Sequence, residues 1–395
     1  MTDDLAVRLL SWCTAERRWL LETIAALVRL ESPSTNKAAV DRCGDELSAR
    51  LGAIGAAVTR IAVETRGNHV LATFDAPSDT APRILLLGHF DTVWEIGRLE
   101  RMPLREDPAT RRLHGPGTFD MKAGIGVAML AMRALAALNV DGRPHVTMLW
   151  TTDEEIGSGT SRATIEAAAR EHMAVLVLEP SLPGGGAKTS RKGVGEVELN
   201  VHGIAAHAGL DPGKGASAIH ELAHQIAAIE TLQNLDRGVT VNVGRIAGGT
   251  RTNVVADSAH ASIDLRVTTM ADAEVVMKKL RALKPVLRGT RLELSGGVDR
   301  PPLERTPQVE ALYRVARAAA RDLGQDLAEG PAGGGSDGNF TGAIGVPTLD
   351  GLGPRGDGAH ASHEHVEIDD LPWRAAFVAE LLRRLGGRPT LEQVQ

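Results

Sequence analysis

Aromatic residues are scarce in this chain, which has five Phe, five Trp and a single Tyr among 395 residues. A protein that stacks the bases of single-stranded nucleic acid needs several exposed aromatic rings, so this composition does not favour one. Basic residues are not in excess either: 44 Lys and Arg stand against 50 Asp and Glu, a formal net charge of -6. A surface of that sign does not attract a phosphate backbone. We therefore expect no nucleic-acid partner.

Cysteines and long apolar runs are also few. Cys13 and Cys43 lie in predicted helices without a metal-binding spacing, and we expect them to be buried free thiols. Residues 1–20 begin with acids and carry charges inside their apolar pattern. This pattern predicts neither a signal peptide nor a membrane span. We therefore expect a cytoplasmic enzyme with no membrane partner.

The length and the periodicity predict two domains, the first of them α/β. Residues 4–30 predict one long amphipathic helix that ends before Pro33, and Asn36 is a candidate cap for the next helix. Strands then alternate with helices, which predicts a mainly parallel sheet. The buried strands are predicted in the apolar runs RILLLGHFDTV, HVTMLWTTDEE and AVLVLEP.

The pattern changes after these runs. GEVELNVHG alternates apolar and polar residues, as a half-exposed strand does. Further elements are predicted as a helix at 214–232, strands near 239–246 and 259–268, a helix at 271–284 and the strand TRLELSG. That order is β-α-β-β-α-β, the ferredoxin-like unit. We therefore predict an inserted domain at 194–301, between two parts of the first domain at 1–193 and 302–395.

Acids and a histidine follow the predicted parallel strands. His89 and Asp91 end the first strand, Glu154 and Glu155 the second, and Glu179 the third. Asp120 precedes the helix between the first two strands. Ligands bind beyond the carboxyl ends of such strands, so the sheet should gather these groups in one cleft. Unless divalent cations compensate it, that density of negative charge destabilises the fold.

The spacing of these residues suggests separate roles. His89 and Asp91 are two apart on a strand and point the same way, so Asp91 can hold the second ring nitrogen of a metal-binding His89. Glu154 and Glu155 are neighbours and point apart. One of them can bind a metal while the other takes a proton from the attacking water.

Five motifs together resemble a known family. They are GHFDTV, GPGTFDMKAG, TTDEEIGS, LEP and GAHASHEHV, in the order found in the di-zinc aminoacylase and glutamate carboxypeptidase family. The resemblance covers nearly the whole chain and is closest to the glutamate carboxypeptidase branch, because GGGSDGNF and VDRPPLE have counterparts there. It implies a mainly parallel-sheet zinc-peptidase domain, an inserted ferredoxin-like dimerisation domain and a homodimer.

The resemblance also implies two zinc ions per chain. One would be bound by His89, Asp120 and Glu179, and the other by Asp120, Glu155 and His360, with Asp120 bridging. His360 is selected because the family's ligand stands four residues before a Glu. The neighbouring His363 and His365 are then expected to be solvated or to support the ligands.

Further roles follow from the same resemblance. Glu154 would be the general base, Asp91 would orient His89, and the Asp120–Met121 peptide bond would be cis. In the inserted domain, His207 would reach the partner subunit's site and polarise the scissile carbonyl. Substrate-binding residues would be Asn253, Arg266, Arg300 and the loop Gly333, Gly334 and Gly335. Arg300 and the loop N–H groups suit a substrate carboxylate.

The implied activity is hydrolysis of the amide bond of a C-terminal, glutamate-like amino acid or of an N-acyl amino acid. An N-acyl-amino-acid deacylase and a dipeptidase are alternatives in the same class. A catalytically silent metal-binding or assembly protein on this fold is the alternative outside it. A rival mechanism rests on HELAH at 220–224, which matches the zincin signature H-E-x-x-H. The apolar residues of that helix, Ile219, Leu222, Ala223, Ile226 and Ile229, predict a core stripe that leaves both histidines on the polar side.

Overall fold

The computed structural model describes residues 4–387. Within them, the first compact unit comprises residues 4–190, 305–332 and 336–387, and the second comprises 191–304 and 333–335. The second unit thus includes the glycine loop, which the predicted boundaries left in the first domain. None of the helices in the described part of the chain is both long and apolar enough to cross a lipid bilayer.

The helices and strands alternate along the first unit as predicted. In chain order the helices are α1 (Asp4–Ala15), α2 (Arg17–Arg29), α3 (Lys37–Ala53), α4 (Arg98–Arg101), α5 (Ala123–Ala137), α6 (Arg162–Arg170), α7 (Ala218–Glu230), α8 (Met270–Arg281), α9 (Pro307–Asp322), α10 (Gly338–Ala343) and α11 (Leu371–Gly386). The strands are β1 (Ala57–Ile61), β2 (His69–Phe74), β3 (Arg83–His89), β4 (Arg105–Asp107), β5 (Arg112–His114), β6 (His145–Thr151), β7 (Ala174–Val177), β8 (Ala187–Arg191), β9 (Gly193–His202), β10 (Ala206–His207), β11 (Thr240–Gly248), β12 (Val254–Val255), β13 (Ser258–Val267), β14 (Arg291–Arg300), β15 (Glu329–Ala332), β16 (Thr348–Leu349), β17 (Gly356–Asp357) and β18 (His365–Glu367).

A six-stranded sheet, ordered β1-β2-β6-β3-β7-β16, forms the centre of the first unit. β6, β3, β7 and β16 are parallel, and β1 and β2 are antiparallel additions. Successive residues of β3 face opposite layers. Ile84 and Leu86 pack in the cluster that contains α5 and α11, whereas Leu85 and Leu87 pack with α6 and α10. Burial on both faces explains the continuous apolar run, and the predicted mainly parallel sheet is confirmed.

The single N-terminal helix predicted for residues 4–30 is wrong, because the chain leaves helical geometry at Glu16 between α1 and α2. The Glu16 carboxylate accepts a 2.7 Å hydrogen bond from Arg133. The same guanidinium lies over the Trp19 ring, 4.1 Å from its centroid. These contacts come from α5, so the sequence pattern of residues 4–30 alone could not reveal them.

The second unit has the predicted β-α-β-β-α-β order. Its antiparallel sheet is ordered β11-β13-β9-β14, and α7 and α8 share one hydrophobic core with it. Asn36, in the first unit, caps α3 as expected, since its side chain accepts the N–H of Ala39. The predicted helix at 214–232 is shorter than expected and spans α7, Ala218–Glu230.

The core stripe predicted for α7 is partly wrong. Ile219 is 44% exposed and Ala223 is exposed, while Glu221 and Gln225 are buried in their place. The Glu221 carboxylate accepts hydrogen bonds from the side chain of Gln225 and from groups of the segment that follows α8. The latter are the N–H groups of Val286 and Leu287 and the hydroxyl of Thr290.

These contacts remove the basis of the zincin mechanism. Glu221 points inward and is used as a hydrogen-bond acceptor for a loop, whereas His220 and His224 are exposed. A zincin site needs the glutamate beside the metal that the two histidines hold. Burial would raise the pKa of Glu221, but the N–H of Leu287 and the Gln225 amide, among its donors, lower it below the ordinary value.

Replacing Glu221 by Gln should destabilise the second unit by about 1–3 kcal/mol, because an amide cannot accept all these hydrogen bonds. The lowered pKa means that this stabilisation is present above the ordinary carboxyl pKa and is lost as the pH falls through the folded value. Hydrogen exchange at the amides of Val286 and Leu287 measures it, with the exposed Glu230→Gln as the matched control. Equal protection in both variants would contradict this role.

Candidate metal centre and active site

Three parallel strands bring the predicted ligands to one edge of the sheet. His89 is the last residue of β3, Glu179 follows the end of β7, and Glu155 follows the end of β6. The N–H of Phe90 continues the pairing with β6 by donating to the Thr151 carbonyl at 3.1 Å. The strand ends are therefore held in register, and their side chains converge as the parallel topology predicts.

Asp120 lies between two imidazoles. Its Oδ1 is 3.2 Å from Nε2 of His89, and its Oδ2 is 3.3 Å from Nε2 of His360. Glu179 approaches the same nitrogen of His89 at 3.3 Å, and Glu155 approaches that of His360 at 2.9 Å. The five side chains thus form two groups of three that share the Asp120 carboxylate. The Asp120–Met121 peptide bond is cis.

A loop supplies His360. Its φ of +61° is uncommon for a residue other than glycine, so the surrounding fold holds the backbone in this conformation. Of the three histidines in this loop, His360 is the one that the structure brings to the carboxylates. His363 is exposed and lies 3.9 Å from Asp357, and His365 is buried against the ring of His114.

The donor set fits divalent metal ions. Ligand atoms of His89, Asp120 and Glu155 lie within 4.8 Å of one another. The Oε1 atom of Glu155 is buried and has no hydrogen-bond partner among the described residues. A buried carboxylate oxygen without a partner is costly unless a cation approaches it. Imidazole nitrogens and carboxylate oxygens are ligands that zinc accepts.

Burial and the hydrogen bonds within this cluster shift the pKa values of its ionisable groups. Burial opposes a charged His89 ring, but hydrogen bonds with Asp120, Asp91 and Glu179 raise its pKa well above the ordinary value. Hydrogen bonds with Asp120 and Glu155 raise the pKa of His360 to about 10. Burial raises the pKa of Glu155 to about 7, whereas hydrogen bonds to the two imidazoles outweigh burial at Asp120 and lower its pKa.

Asp91 lies beside the second ring nitrogen of His89. Nδ1 of His89 is 3.3 Å from the Asp91 carboxylate and 3.1 Å from the Asp91 carbonyl oxygen. The same carboxylate accepts a 2.6 Å hydrogen bond from Ser34. Because both possible acceptors of Nδ1 belong to Asp91, a neutral His89 ring would carry its proton on Nδ1 and leave Nε2 for a ligand.

The three consecutive acids after β6 have separate environments. Asp153 is buried and accepts hydrogen bonds from the N–H and hydroxyl of Thr160, which stabilises the turn. Glu154 and Glu155 begin a short 3-10 helix, and their N–H groups approach the Asp91 carboxylate at 3.4 Å. Glu155 faces His360, and Glu154 is half-buried beside it.

A model of Peptidase family M20/M25/M40 matches residues 85–384. The chain belongs to this family. It is therefore an M20 metallopeptidase, and the motifs that suggested the family span both the strand ends and the His360 loop.

Two curated relatives and one solved structure show the range of similar proteins. The chain is 28% identical to "Carboxypeptidase G2" of Pseudomonas sp. (strain RS-16) over 381 residues, which cover 94% of this chain and 91% of the relative. It is 29% identical to "Succinyl-diaminopimelate desuccinylase" of Dechloromonas aromatica over 371 residues, covering 87% and 93%. The aminopeptidase PepT structure from Bacillus cereus superposes with a TM-score of 0.79 at 23% identity, covering 93% of this chain and 98% of that one, which supports the fold.

Glu364 supports this M20 site, whereas in the sequence it is only the Glu that stands four residues after His360. It is fully buried. One carboxylate oxygen accepts the N–H groups of Phe119 and Asp120, and the other accepts the N–H of Gly117 and the indole N–H of Trp94, at 2.9–3.1 Å. Glu364 therefore holds the loop that carries Asp120. The spacing between His360 and Glu364 in the sequence could not show that four hydrogen-bond donors converge on this carboxylate.

Two further buried charged residues support the site, and neither was predicted from the sequence. Asp337, in the GGGSDGNF motif, accepts the hydroxyls of Thr151 and Ser158, on either side of the acidic turn. Lys122, two residues after Asp120, donates to the carbonyls of Leu27 and Leu30 at the end of α2. The sequence offered two signals for these residues: a lysine at the start of an otherwise apolar helix, and an acid within a glycine-rich loop.

In the second unit, His207 and Asn253 are neighbours. His207 lies in β10 opposite Val254 of β12, and the N–H of Ala208 donates to the Asn253 carbonyl. Nδ1 of His207 accepts the N–H groups of Gly209 and Leu210, both at 3.1 Å. A neutral ring held in this way carries its proton on Nε2, which suits donation to a carbonyl oxygen.

Arg266 and Arg300 form a second group in the same unit. Both pair with Val194 of β9, from β13 on one side and β14 on the other, so they lie in one row of the sheet. Arg300 is buried, and Gly335 packs against it so closely that a Cβ there would be 2.5 Å from its Cδ. Arg266 forms an ion pair with Asp264, at 2.9 Å. Gly333 and Gly334 continue the loop, and the carbonyl of Gly334 accepts from Arg191.

Metal uptake should release protons. At pH 8 the metal-free site holds a proton on His360, whose pKa is about 10, so a metal ion must displace it. Apparent affinity should rise with pH until His360 is neutral. Calorimetric titration of zinc in buffers with different ionisation enthalpies counts the protons, and His360→Gln should release about one fewer. The exposed His363→Gln is the matched control; an equal loss in that variant, or uptake without proton release, would contradict the assignment.

Proposed function

We propose that this M20 metallopeptidase uses two zinc ions to hydrolyse the amide bond of a C-terminal, glutamate-like amino acid or of an N-acyl amino acid. The observation that carries the proposal is the Asp120 carboxylate between His89 and His360, each with its own acid. The similarity to a carboxypeptidase and to a desuccinylase supports amide hydrolysis next to a free carboxylate.

The first unit would supply the hydrolytic chemistry. His89, Asp120 and Glu179 would hold one ion, and Asp120, Glu155 and His360 the other. Bound zinc provides Lewis-acid polarisation of a carbonyl and brings the pKa of water toward neutrality. Glu154 takes the proton of the attacking water and delivers it to the leaving amine. Asp91 keeps Nε2 of His89 turned toward its ion.

The second unit would bind and polarise the substrate. Arg300 and the N–H groups of the Gly333–Gly335 loop suit a carboxylate, and Arg266 adds a positive charge in the same row. His207 donates its Nε2 proton to the scissile carbonyl oxygen as negative charge develops there, with Asn253 beside it. The hydrogen bonds at Nδ1 of His207 support this donor role.

An N-acyl-amino-acid deacylase and a dipeptidase would use the same groups and differ in the acyl part. A catalytically silent assembly protein would not need a complete ligand set with an adjacent acid. Hydrolysis of a panel of N-acyl and C-terminal amino acids, with the released amine identified, separates these functions. No turnover of any member by the two-metal protein would favour the silent alternative.

Glu154→Gln should lower kcat by about 10²–10⁴-fold while metal content stays at two ions, because only the general base is lost. His224→Gln, at an exposed position of the HELAH sequence, should leave both metal content and kcat unchanged. The variants are compared by steady-state kinetics and metal analysis. Loss of activity in His224→Gln with normal activity in Glu154→Gln would favour the zincin mechanism.

Two residue groups of the second unit support a homodimer in which His207 acts on the partner's site. Arg266 and Arg300 flank Val194 at the start of β9, whereas His207 and Asn253 follow its other end. From Val194 to His202 the strand rises roughly 26 Å. A substrate held by Arg300 is therefore out of reach of the same chain's His207, and a second copy can supply it.

Mixing the two inactive variants tests this arrangement. His207→Ala and Glu154→Gln should each be poor alone, but a mixed dimer contains one site with both residues intact. Random pairing makes about half of the dimers mixed with one good site of two, so activity should recover to about a quarter of the wild-type value. If mixed dimers demonstrably form and remain inactive, the role of His207 in the partner's site is refuted.

A further inference from the structure

A cavity of about 460 Å³ opens in the first unit along the segment that follows β3. Its lining begins at Val93, two residues after Asp91, and extends to Arg101. Trp94 connects this wall to the metal centre, because its indole N–H donates to Glu364 at 2.9 Å and the other oxygen of Glu364 accepts the N–H of Asp120. One carboxylate therefore separates the cavity wall from the bridging ligand.

The lining segment is firmly anchored. The Glu31 carboxylate accepts the N–H groups of Gly97 and Leu99, both at 2.8 Å, at the start of α4. Before it, the N–H of Thr92 donates to the Ser32 carbonyl at 2.9 Å. Since both ends of the segment are held by the residues around 31–32, the cavity is a formed site rather than a gap between loose side chains.

Arg98 is the unusual group of this cavity. Its guanidinium lies over the Trp94 ring, 4.2 Å from the centroid, and its Nε is buried without a hydrogen-bond partner among the described residues. Glu95 and Glu100 are close in sequence, yet both are exposed, and residues 4–387 provide no ion pair for Arg98. A stacked guanidinium with unused donors is suited to a carboxylate from a ligand.

We propose that this cavity binds the acyl part of the substrate and that Arg98 selects acyl groups that end in a carboxylate. The inference rests on the proposed function, which assigns the carboxylate of the leaving amino acid to the second unit and leaves the acyl side without a binding site. Val93 and Ile96, 40% and 53% exposed, offer apolar surface to a short methylene chain. The substrate class is an N-acyl amino acid whose acyl group ends in a carboxylate.

Two substrates with the same leaving amino acid test the proposal. One carries an N-succinyl group, and the other carries the uncharged succinamoyl group of the same size. For the wild-type two-metal enzyme, kcat/KM should favour the succinyl substrate by roughly 10- to 100-fold, as expected for a charge-assisted hydrogen-bonded pair, mainly through KM. Arg98→Met should bring this ratio close to one, and Arg98→Lys should give an intermediate ratio because it keeps only the charge.

Controls separate specificity from folding and from the proposed function. Arg8→Met removes an exposed arginine of α1 and should keep the wild-type ratio, and metal content and circular dichroism verify that the Arg98 variants are folded. The proposed subsite would be overturned if the ratio of kcat/KM between the two substrates were unchanged in Arg98→Met. It would also be overturned if that variant changed the preference among leaving amino acids at a constant acyl group. Either result would leave the proposed hydrolase function intact. Failure of the wild-type protein to cleave any amide of the panel would instead overturn the proposed function itself.

Discussion

The accumulation of buried negative charge at one sheet edge is the constraint on which the site depends. Asp120, Glu155 and Glu179 converge on two imidazoles, and Asp91, Asp153, Asp337 and Glu364 lie buried around them. The surrounding acids are stabilised by the hydrogen bonds that they accept from N–H and O–H groups. Asp120, Glu155 and Glu179 instead face the two imidazoles, and their hydrogen bonds raise the pKa of His89 and of His360. The two sets therefore differ in their nearest partners, which are N–H and O–H groups of neighbouring loops for one set and imidazole rings for the other.

The sequence was sufficient for the parts of the fold that depend on pattern. Continuous burial of β3 on two faces produces an apolar run, and the ends of parallel strands meet because the topology requires it, so His89 and Glu155 could be predicted to converge. The break at Glu16 and the burial of Glu221 could not be predicted. Both depend on partners far along the chain, Arg133 in one case and the segment at 286–290 in the other.

The site shows the same limit. Residues that bear the chemistry stand in recognisable motifs, and their roles came from a resemblance to a family. Glu364 and Asp337 stand in the same motifs, but their function is to accept donors from other loops, and those loops are adjacent only in the folded chain. Asp153 is the clearest case: in the sequence it precedes Glu154 and Glu155, but in the fold it accepts both hydrogen bonds from Thr160 and stabilises the turn.

Glu364 connects the metal centre with the cavity beside it. Its two oxygens divide their hydrogen bonds between the Asp120 loop and the Trp94 wall, so a displacement of Trp94 changes the hydrogen bonding of the acid that holds the Asp120 loop. The Arg98 guanidinium lies over the indole ring of that wall, 4.2 Å from its centroid. In the proposed subsite, a substitution at Arg98 removes no hydrogen bond from Glu364, whereas a substitution at Trp94 removes one. On this proposal, acyl-group specificity varies with the residue at 98 while the hydrogen bonds that hold the Asp120 loop stay the same.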